Sequence, residues 1–332
     1  MNSAYSDSEE RSTALSNVDV TAIIVNYNTE GLLRDALGRL LAAAKELSVK
    51  VAVVDNASKD NSVELIRSAF PECDLIVNER NVGFGRANNQ ALSLAEGRYV
   101  VLLNSDAFIP PDTLSKTVAF MDLHPQCGIL GVKLVGPDGT LQPSARYFPT
   151  PWNLFLSRTG LDRMFPNIRL VDDMKWDHAS VRQCDWVPGC YYLVRKKVIE
   201  QVGLFDPRYF LYYEEIDHCL AAKRAGWQVI FYPHTTVVHI GGESARLVGE
   251  ITESGRQIES MKMESELLYF RKNHGIAGVW ANVLLTTLGD AINFLKRLLK
   301  RKSPVGFSAS RAHIALVWRL FNRTRWGTRP TR

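Results

Sequence analysis

Cysteine is scarce in this sequence, and its spacing does not suit crosslinks or metal binding. Five cysteines occur in 332 residues, an odd number, and no two of them form a CxxC pair: Cys73, Cys127, Cys184, Cys190 and Cys219. The sequence therefore gives no support to a disulfide-rich secreted scaffold or to a cysteine metal site. We expect reduced thiols in a cytoplasmic protein.

The first residues lack the features of a leader peptide. Residues 1–17 are polar and rich in serine and acid, with neither a basic start nor an apolar centre. A secretory signal needs both. We expect residues 1–18 to be a disordered segment.

Acidic residues are missing from the last part of the chain. Between Ala291 and Arg332 there are eleven lysines and arginines and no aspartate or glutamate, whereas the first 290 residues have 29 bases and 35 acids. The net charge of +5 thus combines a mildly acidic body with a strongly basic tail. An anionic membrane surface, rather than nucleic acid, is the partner we expect for that tail.

Two phosphate-binding fingerprints are also incomplete. Gly83 and Gly85 begin a GxGxxG pattern, but Asn88 stands where its last glycine belongs, which argues against a hydride-transfer enzyme. No glycine-rich loop with a lysine follows the first strand, which weighs against a nucleotidyltransferase. A non-catalytic binder of nucleotide sugars or nucleic acid would explain the basic tail, but not the carboxylates that follow aromatic residues further along.

What the sequence does contain is a regular alternation of strands and helices. An apolar content of 46% is ordinary for a globular protein of this length. Hydrophobic periodicity predicts three strand and helix pairs, namely a strand from Asp19 with helix 29–45, strand 49–54 with helix 60–70, and strand 74–77 with helix 85–94. Such alternation predicts an α/β fold with a mostly parallel central sheet flanked by helices.

The strand around which the chain is organised is Val100 to Leu103. Its four apolar residues predict burial on both faces, and it ends in Asn104, Ser105 and Asp106. In open α/β sheets ligands bind at the carboxyl ends of the strands, so Asp106 is placed to hold a divalent cation and, through it, a diphosphate. The alternative is that Asp106 only caps the segment that begins near Pro110.

The turns after the earlier strands are rich in amide and small side chains: NYNTE, DNASKDNS and NERNVGFGRANN. Acceptors and helix N-terminal N–H groups should therefore converge at one edge, which suits a nucleotide. Asp55 could accept a hydrogen bond from a pyrimidine imide. Capping of the next helix by Asp55 and Asn56 is the competing explanation.

Past Asp106 the pattern becomes less regular. It predicts a helix over 112–123, a strand over 128–135, a tight turn at GPDGT, and a loop with short helices over 153–182 that could serve as an acceptor-binding flap. Arg146 lies among aromatic residues and prolines. It could contact a phosphate or sugar, or it could stack on Tyr147 at the surface.

A second informative block runs from Trp186 to His239. It predicts a strand over 191–194 and helices over 196–202 and 214–225. The last of these begins with the acids Glu214, Glu215 and Asp217. The helix macrodipole alone favours acids there, but the preceding RYFLYY would surround a carboxylate with rings and raise its pKa towards that of a general base. His239 could reach a metal or diphosphate, with His234 as its rival.

Taken together, these motifs resemble glycosyltransferase family 2, which has the GT-A fold. The resemblance covers about residues 19–274 and rests on IIVNYN, VVDNASKDNS, NVGFGRANNQAL, LLNSDAFI, the WVPGCYYLVRKKVIEQVGLFDPRYFLYYEEIDHCLAAKRAGW block and VVH. It implies inverting transfer of a sugar from a nucleoside diphosphate donor to an acceptor hydroxyl. QPSARYFPTPW and YFRKNHG resemble bacterial rhamnosyltransferases that use dTDP-L-rhamnose to build cell-wall linkers or polysaccharides.

The resemblance also implies roles for individual residues in the donor site. Asp55 would bind the base, Asn26 would line the nucleotide pocket, and three residues would line the donor site with them: Asn81, Gly83 and Asn88. Asp106 would be the surviving acid of a DXD-type motif that binds Mg²⁺ or Mn²⁺. Asn104 replaces its first acid, which implies weaker metal affinity.

Two further roles follow from the same resemblance. His239 would be an additional metal ligand. Glu215 occupies the second place of an acidic pair that usually reads Glu-Asp and supplies the base, so its side chain is one methylene longer than usual. Glu214 and Asp217 remain rivals for that role.

The tail, residues 275–332, carries an apolar helical stripe followed by KRLLKRK. It could pack on the catalytic domain as an ordinary helix. A transmembrane span is disfavoured because Asp290 interrupts the apolar run. An amphipathic helix with a basic end suits an anionic bilayer surface, where a polyprenyl-diphosphate-linked acceptor would be found.

Overall fold

The first half of the chain folds as the alternation predicts. The computed structural model describes residues 18–165, 167–241, 254–299 and 305–332. Strands and helices follow one another as β1 (Val20–Asn26), α1 (Glu30–Ala43), β2 (Val49–Asp55), α2 (Ser62–Ala69), β3 (Asp74–Val77), α3 (Phe84–Ala91), a 3₁₀ turn (Leu92–Leu94) and β4 (Tyr99–Asn104). The predicted strands are confirmed, and the helix ends differ from the predictions by at most three residues.

The second half is less regular. It comprises β5 (Ala107–Phe108), α4 (Thr113–Leu123), β6 (Cys127–Val135), β7 (Leu141–Gln142), α5 (Pro151–Thr159), a 3₁₀ turn (Leu161–Met164), β8 (Arg182–Gln183), β9 (Tyr191–Arg195), α6 (Lys196–Val202), α7 (Glu214–Arg224), β10 (Gln228–His239), α8 (Ser254–Leu299) and α9 (Val305–Arg323). The predicted loop over 153–182 thus begins inside a helix. A capping box between Thr150 and Asn153 starts that helix, and Gly160 in the left-handed conformation ends it.

The ten strands of the described residues belong to one sheet, whose main path is β3-β2-β1-β4-β9-β6-β10-β5. Strands β3, β2, β1 and β4 are parallel, whereas β9 enters antiparallel between β4 and β6. In register, Asn26 pairs with Asp55 and Val25 with Asn104, so the polar residues that follow these strands lie along one edge. This edge is where α/β sheets bind ligands.

Strand β4 is buried on both faces, as its composition predicts. Val100 and Leu102 belong to one hydrophobic cluster, and Val101 and Leu103 belong to the cluster on the opposite face of the sheet. Each of the four side chains is at most 2% exposed. Helices cover both faces, so the sheet edge that follows β4 is held in a fixed position.

The tail helices pack on the rest of the protein. Helix α8 bends at Gly275, whose φ is +67°, and its second half contributes Val279 and Val283 to the same hydrophobic cluster as Val100. Helix α9 contributes Val317 and Phe321 to it. The tail therefore shares a core with the α/β body, although the predicted boundary between residues 274 and 275 remains a prediction.

Candidate active site

A cavity of about 320 Å³ opens at the carboxyl ends of β1 and β4. Seven of the predicted site residues line it: Asn81, Gly83, Asp106, Arg146, Glu214, Glu215 and His239. Four others are not among its lining residues: Asn26, Asp55, Asn88 and Asp217. The fold therefore brings the candidate metal ligands and two of the three candidate bases into one space.

Asp106 and His239 form a pair suited to a cation. Asp106 is 4% exposed, and its Oδ1 lies 3.5 Å from Nε2 of His239. The antiparallel pairing of β5 with β10, in which His239 faces Ala107, brings the two together. A single ion with ligand bonds of about 2.1 Å could span this separation.

The tautomer of His239 fits that role. Its Nδ1 lies 3.0 Å from Oε1 of Gln142, an acceptor only, so Nδ1 is the donor, and in the neutral imidazole the lone pair is on Nε2. Buried Nε2 has no hydrogen-bond partner within the described residues, and the same holds for Oδ1 of Asn104. Among those residues, however, no cluster of three histidine, cysteine or acidic side chains occurs. Asp106 and His239 would thus share a metal with oxygen ligands from the donor and water.

Asn26 and Asp55 belong to a hydrogen-bonded chain beneath the cavity. The hydroxyls of Ser105 and Thr29 share a hydrogen bond, and Oγ1 of Thr29 donates to Oδ1 of Asn26 at 2.7 Å. Asn26 in turn donates to Oδ2 of Asp55 at 2.9 Å, while the backbone N–H of Ser58 donates to Oδ1. Both Asn26 and Asp55 are fully buried. The chain ties together the ends of β4, β1 and β2.

The loop before α3 is fixed by amides. Asn56 donates to Oδ1 of Asn81 at 2.9 Å, and the same oxygen accepts the N–H of Gly83. Gly83 has φ of +90°, and a Cβ there would lie 2.4 Å from the carbonyl oxygen of Phe210, which also accepts the N–H of Phe84. Glycine is needed here for a close approach between two loops of the cavity wall.

Glu214 and Glu215 begin helix α7 and point their carboxyl groups into buried space. Oε2 of each has no hydrogen-bond partner in the described parts of the chain. Burial raises the pKa of Glu214 well above its usual range, and the charge of Glu215 raises it further. Burial also raises the pKa of Glu215, whereas its own backbone N–H and the charge of Arg146 oppose that rise. The pKa of each acid is thus raised in the direction that suits a general base.

Three candidates do not line the cavity. Asp217 is bound by Lys272 at 2.5 Å and by Asn273 at 2.7 Å, both on α8, so its carboxylate is fully used in holding two helices together. Asn88 is 1% exposed and donates to the carbonyl of Phe84 within α3. The exposed ring of His234 packs against Tyr232 and does not line the cavity. The geometry favours Glu214 and Glu215 over Asp217, and His239 over His234.

Arg146 stacks on a different ring from the one considered in the sequence. Its guanidinium lies 4.1 Å from the ring centroid of Trp186 and pairs with Asp172, while Arg169 and Arg182 lie over the ring of Tyr147. Backbone bridges from residue 146 to residues 172 and 186 create this arrangement. Arg146 thus lines the cavity while its side chain is paired with Asp172, which does not line it.

The family assignment follows from comparison with known sequences. The Glycosyl transferase family 2 profile matches residues 21–178, which contain the first four strands and Asp106. Residues 21–178 of the chain form a family 2 glycosyltransferase domain. Enzymes of this family invert the anomeric centre, so nucleotidyl transfer and a purely binding role are not supported.

Two curated relatives extend over most of this glycosyltransferase. One is the N-acetylglucosaminyl-diphospho-decaprenol L-rhamnosyltransferase of Mycobacterium tuberculosis, 27% identical over 283 residues, which cover 79% of this chain and 87% of the relative. The other is the dTDP-rhamnosyl transferase RfbF of Shigella flexneri, 26% identical over 263 residues, which cover 78% and 82%.

A solved structure confirms the GT-A fold of this glycosyltransferase. The mannosyltransferase PcManGT from Pyrobaculum calidifontis, solved with GDP-Man and Mn²⁺, covers 92% of this chain and 87% of its own with a TM-score of 0.54. Sequence identity is 17%, so the likeness concerns the fold alone.

Several cavity residues of the glycosyltransferase were missed by sequence reasoning. They are Val25, Tyr27, Phe84, Ser105, Pro188, Gly189, Cys190, Phe210, Leu211 and Tyr212. Most are apolar, and they line the cavity together with Asp106, His239 and the first residues of α7. Their position next to the recognised motifs NYN, NSD, WVPGC and RYFLYY was the available signal, but an apolar residue beside a motif is equally typical of the core.

Proposed function

We propose that this enzyme transfers L-rhamnose from dTDP-L-rhamnose to a hydroxyl of a lipid-linked or polysaccharide acceptor in cell-envelope glycan synthesis. The observation that carries the choice of sugar is the similarity to two rhamnosyltransferases over more than three quarters of each chain. The cavity supports the reaction type, because it combines a candidate base with a candidate metal pair.

Glu215 is the proposed general base. Glu214 has its pKa raised well above the usual range and would stay protonated, while Arg146 favours the ionised form of Glu215. The ionised Glu215 would accept the proton of the acceptor hydroxyl as that oxygen bonds to the anomeric carbon. The bond from this carbon to the diphosphate breaks on the opposite face, and the configuration inverts.

Asp106 and His239 are the proposed holders of a divalent ion, Mg²⁺ or Mn²⁺. When bound, such an ion would supply positive charge to the leaving diphosphate. In the neutral ring of His239, the hydrogen bond from Nδ1 to Oε1 of Gln142 leaves the lone pair on Nε2, and the backbone N–H of Gly241 donates to Oδ2 of Asp106 at 3.1 Å, which fixes the carboxylate. Such outer partners orient metal ligands.

The other residues proposed for the donor site form two groups, those that line the cavity and those that lie behind it. Asn81, Gly83 and Arg146 line the cavity and would contact the donor directly. Asn26, Asp55 and Asn88 lie behind it. Asn26 and Asp55 could contact the base only if the chain that joins them to Ser58 rearranged, so in the observed arrangement they shape the nucleotide edge from beneath.

We further propose that residues 19–274 form the catalytic domain and that the helical extension, residues 275–332, holds it on the cytoplasmic face of the cell membrane. The outer side of α8 exposes an apolar stripe at a spacing of four, consisting of Ile276, Trp280, Leu284 and Leu288, each 38–53% exposed. Residues 257–299 contain an 18-residue window that is apolar enough to cross a membrane, of which 28% is buried. Because Val279 and Val283 pack inward, we favour a helix lying on an anionic surface over a spanning one.

The experiment that tests the reaction is release of nucleoside diphosphate from purified enzyme. With Mn²⁺ and a glycosyl-diphospho-polyprenol acceptor, dTDP release from dTDP-L-rhamnose should exceed UDP release from UDP-GlcNAc by at least tenfold. Equal rates, or release that does not depend on the acceptor, would overturn the proposed donor or the proposed transfer, respectively.

A further inference from the structure

Three consecutive residues of α8 are buried and bind groups outside their own helix. Glu264, Ser265 and Glu266 are 4%, 2% and 1% exposed. Glu264 accepts hydrogen bonds from the backbone N–H and the hydroxyl of Thr331. The other two contact the loop that precedes Glu214 and Glu215.

The contact of Glu266 is with the residue just before that pair. The hydroxyl of Tyr213 donates to Oε2 of Glu266 at 3.0 Å, and Arg158 on α5 donates to both carboxylate oxygens at 3.1 Å. The ion pair with Arg158 balances the charge of this buried carboxylate, and charge-assisted hydrogen bonds of this kind are strong. Arg158 also donates to Thr286, so the whole chain of contacts is anchored on two helices.

The loop needs such an anchor because its backbone is strained. Tyr212 and Tyr213 have φ values of +70° and +71°, a left-handed conformation that side chains larger than glycine adopt only where their surroundings impose it. Two further bonds hold the preceding residues. Ser265 donates to the carbonyl of Leu211, and Phe84 donates from its N–H to the carbonyl of Phe210, both at 2.8 Å.

We propose that Glu266 is a positioning residue for the reaction, which acts through Tyr213 to hold the strained turn that aims Glu215 into the cavity. This inference rests on the proposed role of Glu215 as the base. It assigns a task to the first half of α8 that is separate from membrane contact. The geometric basis is direct, since Tyr213 is the residue that immediately precedes α7 and is itself 4% exposed.

Tyr213→Phe and Glu266→Gln test the contact. Tyr213→Phe keeps the packed ring and removes only the hydroxyl, so we expect kcat to fall roughly tenfold, on the scale of one hydrogen bond to a charged group, with the donor KM within about twofold. Glu266→Gln should have a similar effect. The double variant should be no slower than the slower single variant, because one change removes the hydroxyl and the other removes the charged acceptor of the same contact.

Glu264→Gln is the matched control, since it alters an equally buried carboxylate two residues away that binds the C-terminal segment. Its kcat should stay within about threefold of wild type. If Glu266→Gln does not fold, Tyr213→Phe still tests the contact by itself. An unchanged kcat in Tyr213→Phe, additive effects in the double variant, or an equal loss in Glu264→Gln would overturn the inference. Glu215→Gln in the same assay distinguishes failure of this inference from failure of the proposed function, because full activity of Glu215→Gln would reject Glu215 as the base.

Discussion

Nε2 of His239 lies 3.5 Å from Oδ1 of Asp106 although 132 residues separate them, and both groups face one cavity. The tautomer fixed by Gln142 leaves Nε2 as a lone-pair donor. We therefore predict that Asp106→Ala and His239→Ala each weaken Mn²⁺-dependent donor binding by roughly tenfold or more. Calorimetry of dTDP binding with Mn²⁺ and with a chelator measures this.

His234→Ala is the control for the metal prediction. Its exposed ring packs on Tyr232 outside the cavity, so removal of the ring should leave donor affinity unchanged. Equal affinity with and without chelator in the wild-type enzyme would contradict the metal role of the pair.

Gly83→Ala should damage the cavity without touching any charged group. The new Cβ would lie 2.4 Å from the carbonyl oxygen of Phe210, and φ of +90° is unfavourable for alanine. We expect a loss of stability of roughly 1–3 kcal/mol together with weaker donor binding. Denaturant unfolding and calorimetry report the two effects. Gly139→Ala is the control, because its φ of +79° is comparable but no atom lies within 4 Å of its added Cβ.

Local sequence patterns predicted the sheet and its binding edge well. Val100 to Leu103 could be recognised because four apolar residues in succession leave no side for water, and the polar residues that follow had to lie at the edge. The proximity of Asp106 and His239 could not be derived in this way, because it depends on the antiparallel pairing of β5 with β10. Such a pairing has no short-range signature.

The choice among the candidate bases shows a second limit of prediction from local sequence. Glu214, Glu215 and Asp217 share the first turn of one helix, so local sequence gives them nearly equal standing. Lys272 and Asn273 on α8 donate hydrogen bonds to the carboxylate of Asp217, and those partners lie more than 50 residues further along the chain. Arg146 likewise stacks on Trp186 rather than on its neighbour Tyr147, because backbone bridges bring Trp186 alongside it.

The apolar stripe of α8 predicts a surface effect that leaves catalysis intact. Replacing Leu284 and Leu288 with serine removes two half-exposed apolar groups, which should lower co-sedimentation with phosphatidylglycerol vesicles by roughly tenfold, while dTDP affinity stays unchanged. Val77→Ser with Leu123→Ser alters two exposed apolar residues away from the stripe and should bind vesicles normally. Equal loss in both pairs would place the membrane contact elsewhere. Deleting the tail is a poorer test, because Val283 and Phe321 belong to the core.

Glu214 should make the protein less stable as pH rises. Its folded-state pKa is raised by burial, so the native state binds more protons than the unfolded state above the usual glutamate pKa, and stability falls as pH increases through the folded value. Glu214→Gln removes this cost. We expect its Tm to exceed that of wild type by roughly 2 °C or more at pH 8, with a smaller difference at pH 4. A difference that is the same at both pH values would contradict the raised pKa.

The strongest functional prediction concerns Glu215. Glu215→Gln keeps the volume of the side chain and removes the proton acceptor, so turnover should fall roughly 100-fold or more, the scale of general-base catalysis, while donor affinity changes by only a few-fold. In the wild type, burial raises the pKa of Glu215 above its usual range. Activity should therefore be lost as pH falls through that raised value, and the acid limb of the kcat profile should lie above the usual glutamate range.

Asp217→Asn is the control, because its carboxylate binds Lys272 and Asn273 rather than lining the cavity. Provided that it folds, it should keep the acid limb of the wild type. If Glu214→Gln instead shows the larger loss of turnover, the base is the first acid of the pair, and near-normal turnover in Glu215→Gln with an intact fold would reject the assignment.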